Sequence, residues 1–495
     1  MNYKSTRDSS VCVKSSEAIV KGLSHEGGLF LPESIPSVNI EDIATLAPMS
    51  YQERAKKILS LFLTDFTKDE IEYCVNGAYG KNFASEKIAP VTKLSDRKHI
   101  LELWHGPTCA FKDMALQILP YLLTTSMKKV GIDKEVVILV ATSGDTGKAA
   151  LEGFRDVEGT KIIVFYPVDG VSRIQKLQMA TQSGENVYVA SVKGNFDDAQ
   201  SGVKMIFTNP ECEKKLDENK KAFSSANSIN WGRLVPQVVY YFSAYADMLQ
   251  AGDIALGEKI NVCVPTGNFG NILAAYYAKC MGLPINKLIC ASNMNNVLTD
   301  FINTGVYDKN RQFHTTISPS MDILISSNLE RLLYLISNDS EKVSEYMESL
   351  KTNGKYAVED SIKAVVTENF AGGYCSDAEA KATIGEHKEK YGYTMDTHTA
   401  VAVKVYDDYV NATGDNTKTV IASTASPFKF NEAVLTALGE DVSGKDEFEL
   451  LDVLSEKSGL KVPGSLDELR VKEIRFTDVF EKEDMIKAVY SFLNI

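Results

Sequence analysis

Short apolar runs that end in a polar or glycine-rich turn and open into a helix recur along this chain. That alternation restricts its fold more than any other feature. "EVVILVA" runs through "TSGDTG" into "KAALEGFRD", and "INVCVP" runs through "TGNFGN" into "ILAAYYAKCMG". "HILELW" precedes a helix opening at Phe111, and "TKIIVFYP" precedes "VSRIQKLQMATQ". "NVYVASV" precedes "NFDDAQSGVKMIF", and "KLICAS" precedes "NNVLTDFI". Runs this uniformly apolar need cover on both faces. Helices crossing between parallel strands supply it, so the sequence predicts an α/β protein with parallel or mixed sheets flanked by helices. At 495 residues the chain is long for a single core. Three regions are expected: a mainly helical 1–95, a first α/β region over 96–225, and a second over 226–495. The second carries a charged helical insertion at about 309–390 and an acidic helical tail.

Charge and cysteine usage narrow the class of function. The net charge of −13 disfavours a nucleic-acid groove or an anionic membrane surface as partner. No apolar run approaches the roughly 18 residues of a membrane span, and "MNYKSTRDSS" has no apolar signal core. A cytoplasmic protein with a small-molecule substrate is expected, as a monomer or homodimer. The eight cysteines form no C-x-x-C pair, and several sit in apolar runs, as reduced buried thiols do. The six histidines show no H-x-x-x-H spacing, so no metal site is expected.

The turns are where chemistry belongs, because ligands of open α/β sheets bind at the carboxyl ends of strands. A helix opening there offers free N–H groups and a positive dipole end to an anion. In "TGNFGN", Gly267 and Gly270 let the backbone curl around a phosphate, or serve only the geometry of the turn. The spacing is not G-x-G-x-x-G, which disfavours a dinucleotide. "ATSGDTGKAA" departs twice from a Walker loop: Thr142 replaces the first glycine, and Ala149 replaces the final Ser or Thr. What remains is a Ser143-Gly144-Asp145-Thr146 turn suited to a carboxylate or small phosphate, with Lys148 expected in solvent.

"LELWHGPTCAFKDMALQIL" contains the least expected residue. Lys112 stands at a helix start, where the macrodipole disfavours a cation, and shares a face with Ala115, Leu119 and Leu122. Pro120 should kink or end that helix. A snorkelling lysine fits the pattern. So does an amine kept neutral by burial and ready for Schiff-base chemistry. "SSANSINWGRLVPQ" gathers Asn230 and Arg233 ahead of an apolar helix, as a cap or an anion site. "IASTASPFKF" ends a strand in Ser423 and Thr424, within reach of a ligand or simply closing the strand.

Taken together, "YKSTR", "EGGLFLPESIP", "LWHGPTCAFKD", "ATSGDTG", "NSINWGRL", "PTGNFGN" and "STASPFKF" resemble the threonine synthase family. These are pyridoxal 5'-phosphate enzymes of fold type II, tryptophan synthase β-like, with the cofactor between two domains. The resemblance spans the chain to about residue 430. It implies that Lys112 holds the cofactor as the Schiff-base lysine and is the catalytic amine. It implies that Gly267, Asn268, Phe269, Gly270 and Asn271 cradle the cofactor phosphate and that the Thr424 hydroxyl faces the pyridine nitrogen. Ser143, Gly144, Asp145 and Thr146 would receive the substrate, chiefly its carboxylate, with Asn230 and Arg233 helping to hold its phosphate. The implied reaction is the last step of threonine biosynthesis. A carbon–oxygen lyase acting on phosphates turns O-phospho-L-homoserine and water into L-threonine and phosphate by γ-elimination and β-addition of water.

Two departures stand out: Ser426-Pro427-Phe428 where the family often has His-Pro-Ala, and Lys148 where a serine is common. A phospho-lyase or dehydratase of the same fold type is the nearest rival, and a non-catalytic sensor on the same scaffold is a rival from another class.

Overall fold

The computed structural model describes residues 1–495 except Ser143, Asp169 and Gly170. Two sheets organise it. The larger runs in the order Phe370–Tyr374, Ile285–Ser292, Ile260–Pro265, Thr419–Ser423, Lys98–Glu102, Val91–Lys93. Its pairings are parallel except at Val91–Lys93, which returns antiparallel to Lys98–Glu102. The smaller sheet is parallel throughout, in the order Val479–Phe480, Val187–Val192, Thr160–Pro167, Glu135–Ala141, Lys221–Ser224. The central strand Ile260–Pro265 is buried at every residue, as a strand covered on both faces must be.

Between the N-terminal helices and the larger sheet runs the helix Trp231–Gln250. It is apolar nearly all round, and 17 of its 20 residues are buried, as expected of a helix with no solvent face. Helices Tyr51–Phe62 and Gly270–Cys280 pack on it. Its first residue, Trp231, meets Tyr3, Phe62 and Tyr277 edge-on, with ring centroids 5.4, 5.6 and 5.5 Å away. The opening residues of the chain are thereby tied to the centre of the core.

The sheets redraw the three expected regions. Strand Lys98–Glu102 belongs to the larger sheet, in register with Thr419–Ser423, so 96–225 does not form one α/β unit. A parallel strand takes its partner through a crossover, and sequence adjacency does not select it. The insertion at 309–390 is not merely peripheral: Phe370–Tyr374 forms an edge of the larger sheet. The acidic tail returns to the smaller sheet, adding Val479–Phe480 at its edge. Helix Met485–Leu493 then buries Met485, Ala488, Val489 and Leu493 in the cluster that holds Val137, Leu139 and Ile163. The helix expected from Phe111 is two helices, Asp113–Leu116 and Leu119–Lys129, broken just ahead of Pro120. Proline sits at the second position of the new helix, where its missing N–H costs nothing.

Candidate active site

Four segments leave the carboxyl ends of strands and converge. They follow Lys98–Glu102 and Thr419–Ser423, Ile260–Pro265, and, from the smaller sheet, Glu135–Ala141. They enclose a cavity of about 450 Å³ whose wall includes Lys112, Thr146, Arg233, the whole turn Gly267–Asn271 and Thr424.

The segment carrying Lys112 is fixed from both sides. The Asp113 carboxyl accepts the Thr108 N–H at 2.8 Å and the Thr108 hydroxyl at 2.7 Å. A Cβ on Gly106 would lie 2.5 Å from that carboxyl, so glycine is required for the close approach. Burial pushes the Asp113 carboxyl up to about 7. Phe111 N–H donates to the Thr424 carbonyl at 2.8 Å, and Ser426 N–H to the Cys109 carbonyl at 3.0 Å. Backbone bonds thus place Lys112 beside Thr424, although far apart in sequence. The Lys112 Nζ has one long contact, 3.4 Å to Ser320 Oγ. Burial lowers its pKa; Lys429 and Arg233 act in the same direction and Asp145 opposes them. Thr108 shapes this turn, whereas His105 stacks on Trp104 at 4.2 Å and bonds Glu102 at 2.7 Å, off the cavity wall.

The turn after Ile260–Pro265 is built to present backbone. Phe269 takes a left-handed conformation, φ 64°, at the start of helix Gly270–Cys280. A Cβ on Gly267 would approach the Ser320 carbonyl to 2.8 Å. The Gly267 carbonyl accepts from the Ser326 hydroxyl at 2.7 Å, and the Asn268 carbonyl from Asn328 N–H at 3.0 Å. With its carbonyls occupied on the protein side, the turn leaves N–H groups for the cavity. Asn271 Oδ1 accepts from the Tyr240 hydroxyl at 2.6 Å, while its Nδ2 is buried without a partner.

Arg233 supplies charge to the same wall. One Nη donates to the Ala226 carbonyl, and Nε is buried without a partner. Desolvation brings its pKa down to about 10. Among the described residues no anion pairs with Arg233; a buried cation in that state is costly, and an anionic ligand would offset the cost.

The remaining sequence candidates divide. Thr146 reaches the cavity. Ser143 lies outside the described residues. Gly144 receives the Thr142 hydroxyl at its carbonyl, and Thr142 Oγ1 accepts the N–H groups of Gly144 at 3.1 Å and Gly147 at 3.0 Å. The Asp145 side chain turns away to Lys429, at 2.8 Å. Asn230 is not brought to the cavity: its Oδ1 caps Gly232 N–H at 2.8 Å, and its Nδ2 donates to the Ile19 carbonyl at 2.9 Å. Lys148, expected in solvent, is buried and paired with Glu152 at 2.7 Å and Gln182. An i,i+4 carboxylate and a neighbouring amide make that burial possible.

Ser320, His398 and Lys429 were not found in the sequence. His398 lines the cavity and is oriented by Asp396, 2.8 Å from Nδ1; its Nε2 accepts Ser320 N–H at 3.2 Å, which assigns the proton to Nδ1. Only the Asp-Thr-His cap pattern at 396–398 hinted at it.

Comparison with known proteins decides the family. Models of the threonine synthase N terminus and the threonine synthase C-terminal region match residues 2–79 and 399–489. Threonine synthase of Pseudomonas aeruginosa is 38% identical over 88% of this chain and 90% of its own length. This chain belongs to the threonine synthase family. The crystal structure of a PLP-bound threonine synthase from Brucella melitensis superposes with a TM-score of 0.88 at 36% identity, covering 100% of this chain and 99% of that one. Human threonine synthase-like 1 is 43% identical over 86% of this chain, which spans 58% of that relative's length. Two sheets with a cavity between them are the fold type II arrangement of the threonine synthase family.

Proposed function

We propose that this chain binds pyridoxal 5'-phosphate and acts as a threonine synthase, a lyase that converts O-phospho-L-homoserine and water into L-threonine and phosphate. One observation carries the proposal. A lysine amine and a buried arginine, neither with an ion partner among the described residues, share one cavity with a turn that presents backbone N–H groups. The orphaned Asn271 amide, a donor without a partner among the described residues, fits a phosphate in the turn. The amine of Lys112 fits the cofactor's aldehyde.

In this reading residues 267–271 would hold the cofactor phosphate, and the Thr424 hydroxyl would serve the pyridine nitrogen. Bound pyridoxal phosphate supplies an electron sink for the charge left when a substrate carbon loses a proton. Lys112 Nζ takes the proton from the substrate α-carbon and then from the β-carbon, which requires an amine neutral near working pH. Burial lowers the basicity of Lys112 in that direction. Arg233 binds the substrate phosphate and steadies it as it leaves from the γ-carbon. The backbone at Asp145 and Thr146 opens helix Asp145–Phe154 and receives the substrate carboxylate. Phe111, Phe196 and Ile229 limit water on the same wall.

Product analysis with O-phospho-L-homoserine tests the proposal. L-threonine and phosphate in equal amounts are expected. Phosphate with 2-oxobutyrate and no threonine would assign the phospho-lyase reaction instead. A purified protein that gains no yellow, borohydride-sensitive colour with the cofactor would overturn the cofactor assignment. A cytoplasmic location and a monomeric or homodimeric state complete the proposal. Eight free cysteines fit a reducing compartment, and no helix among the described residues is long and apolar enough to cross a membrane.

A further inference from the structure

We infer that Lys429 is a positioning residue that holds the Asp145 carboxylate away from the substrate-carboxylate site at the start of helix Asp145–Phe154. This rests on the function proposed above. The observation behind it is an ion pair joining the two halves of the molecule. Lys429 follows strand Thr419–Ser423 of the larger sheet, and Asp145 follows strand Glu135–Ala141 of the smaller. The ammonium lies 2.8 Å from Asp145 Oδ1, with the two side chains 2% and 8% exposed. Lys429 also donates to Gln178 Oε1 at 3.2 Å. Among the described residues Asp145 Oδ1 has no other partner.

The pair answers a local conflict. An aspartate in the first turn of a helix is drawn to the free N–H groups there, and so is an incoming carboxylate. Gly147 N–H is already taken by Thr142 Oγ1, which leaves the amides of Asp145 and Thr146 as the ones to contest. A free Asp145 carboxylate would both occupy those groups and repel a substrate carboxylate. Lys429 removes both effects by neutralising and turning the side chain. The charges are strongly linked: Asp145 is held well below the usual carboxylate range, because Lys429 and Lys112 outweigh its burial. Lys429 is raised because Asp145 outweighs the burial that would lower it.

The test uses holoenzyme variants Lys429→Met, Lys429→Arg, Asp145→Asn and Asp145→Asn/Lys429→Met. Three quantities are read: KM and kcat for O-phospho-L-homoserine, and the Kd of L-threonine by calorimetry. Lys429→Met should raise KM and Kd by about tenfold or more while kcat falls less. The double variant should recover both to within about threefold of Asp145→Asn, and Lys429→Arg should stay near wild type. Equal weakness of Lys429→Met and the double variant, or an unchanged Kd in Lys429→Met, overturns the inference. Should Lys429→Met not fold, Asp145→Asn alone decides. Affinity retained within about threefold supports the inference, and a loss of about tenfold or more makes Asp145 a direct ligand. If wild type binds L-threonine but does not turn over O-phospho-L-homoserine, the proposed function fails while the calorimetry still reads Lys429.

Discussion

Lys112 and Lys148 invite comparison. Each lies at the start of a helix that follows a strand and a turn, and burial lowers the pKa of each. Lys148 is spent on the fold, bonded to Glu152 at 2.7 Å and to Gln182. Lys148 and Arg155 hold Glu152 low against its burial. Among the described residues Lys112 has only the 3.4 Å contact with Ser320, and it faces a cavity. Burial and lowered basicity therefore do not distinguish a reactive amine from a structural one. The absence of a permanent partner, next to open space, does.

Substitution should separate the two sharply. Lys112→Met should cut kcat by about 10⁴-fold or more, with loss of the borohydride-sensitive colour and no loss of thermal stability. Residual turnover close to wild type would erase the distinction. Lys148→Met should do the reverse. It removes the buried cation beside Glu152, leaves that carboxylate to the more exposed Arg155 at 3.0 Å, and should cost about 2 kcal/mol of stability, measured by denaturant unfolding, while kcat/KM stays within about threefold. Lys148→Met/Glu152→Met should regain most of that stability. An equally unstable double variant would show that the pair is not what Lys148 contributes.

Arg233→Met tests whether a buried cation without an anion follows Lys112 or Lys148. If it serves a ligand, KM for O-phospho-L-homoserine should rise by about 10- to 100-fold while the melting temperature holds or increases. A lower melting temperature with unchanged KM would place Arg233 with Lys148.

The smallest expected effect is on pH dependence. In the cofactor-free protein the folded Lys112 amine loses its proton at a lower pH than the unfolded one. Between those two values the unfolded chain binds more protons, so stability rises with pH. It is complete above the unfolded pKa and lost as pH falls through the folded value. Lys112→Met should flatten that rise; an unchanged slope in urea melts across alkaline pH would show that Lys112 does not titrate there.

Much of the site was legible because its logic is local. The 267–271 turn declares itself through glycines after a buried strand, and φ 64° at Phe269 shows the backbone doing what that spacing suggests. Lys112 was conspicuous because a cation opposes the helix dipole. Asn230 misled because a cap and a ligand call for the same residue type, and here the amide serves Gly232 and Ile19. Lys148 misled because an i,i+4 pair with Glu152 is as common on a solvent face, and the second partner, Gln182, lies outside its helix. Ser320 and His398 come from segments with no strand-turn-helix pattern, so nothing local pointed to Ser320 and only the cap pattern at 396–398 to His398.

The sequence by itself determined the alternation of strands and helices, the turns at the strand ends and the residue types at those turns. Each is a short-range consequence of hydrophobic period and backbone freedom. Only the tertiary structure decided which turns face one another. Strand Lys98–Glu102 had to pair with Thr419–Ser423 before Lys112 could stand beside Thr424, and the two sheets had to meet before Lys429 could reach Asp145. Those choices rest on parallel pairing and core packing between distant segments, which no stretch of neighbouring residues encodes.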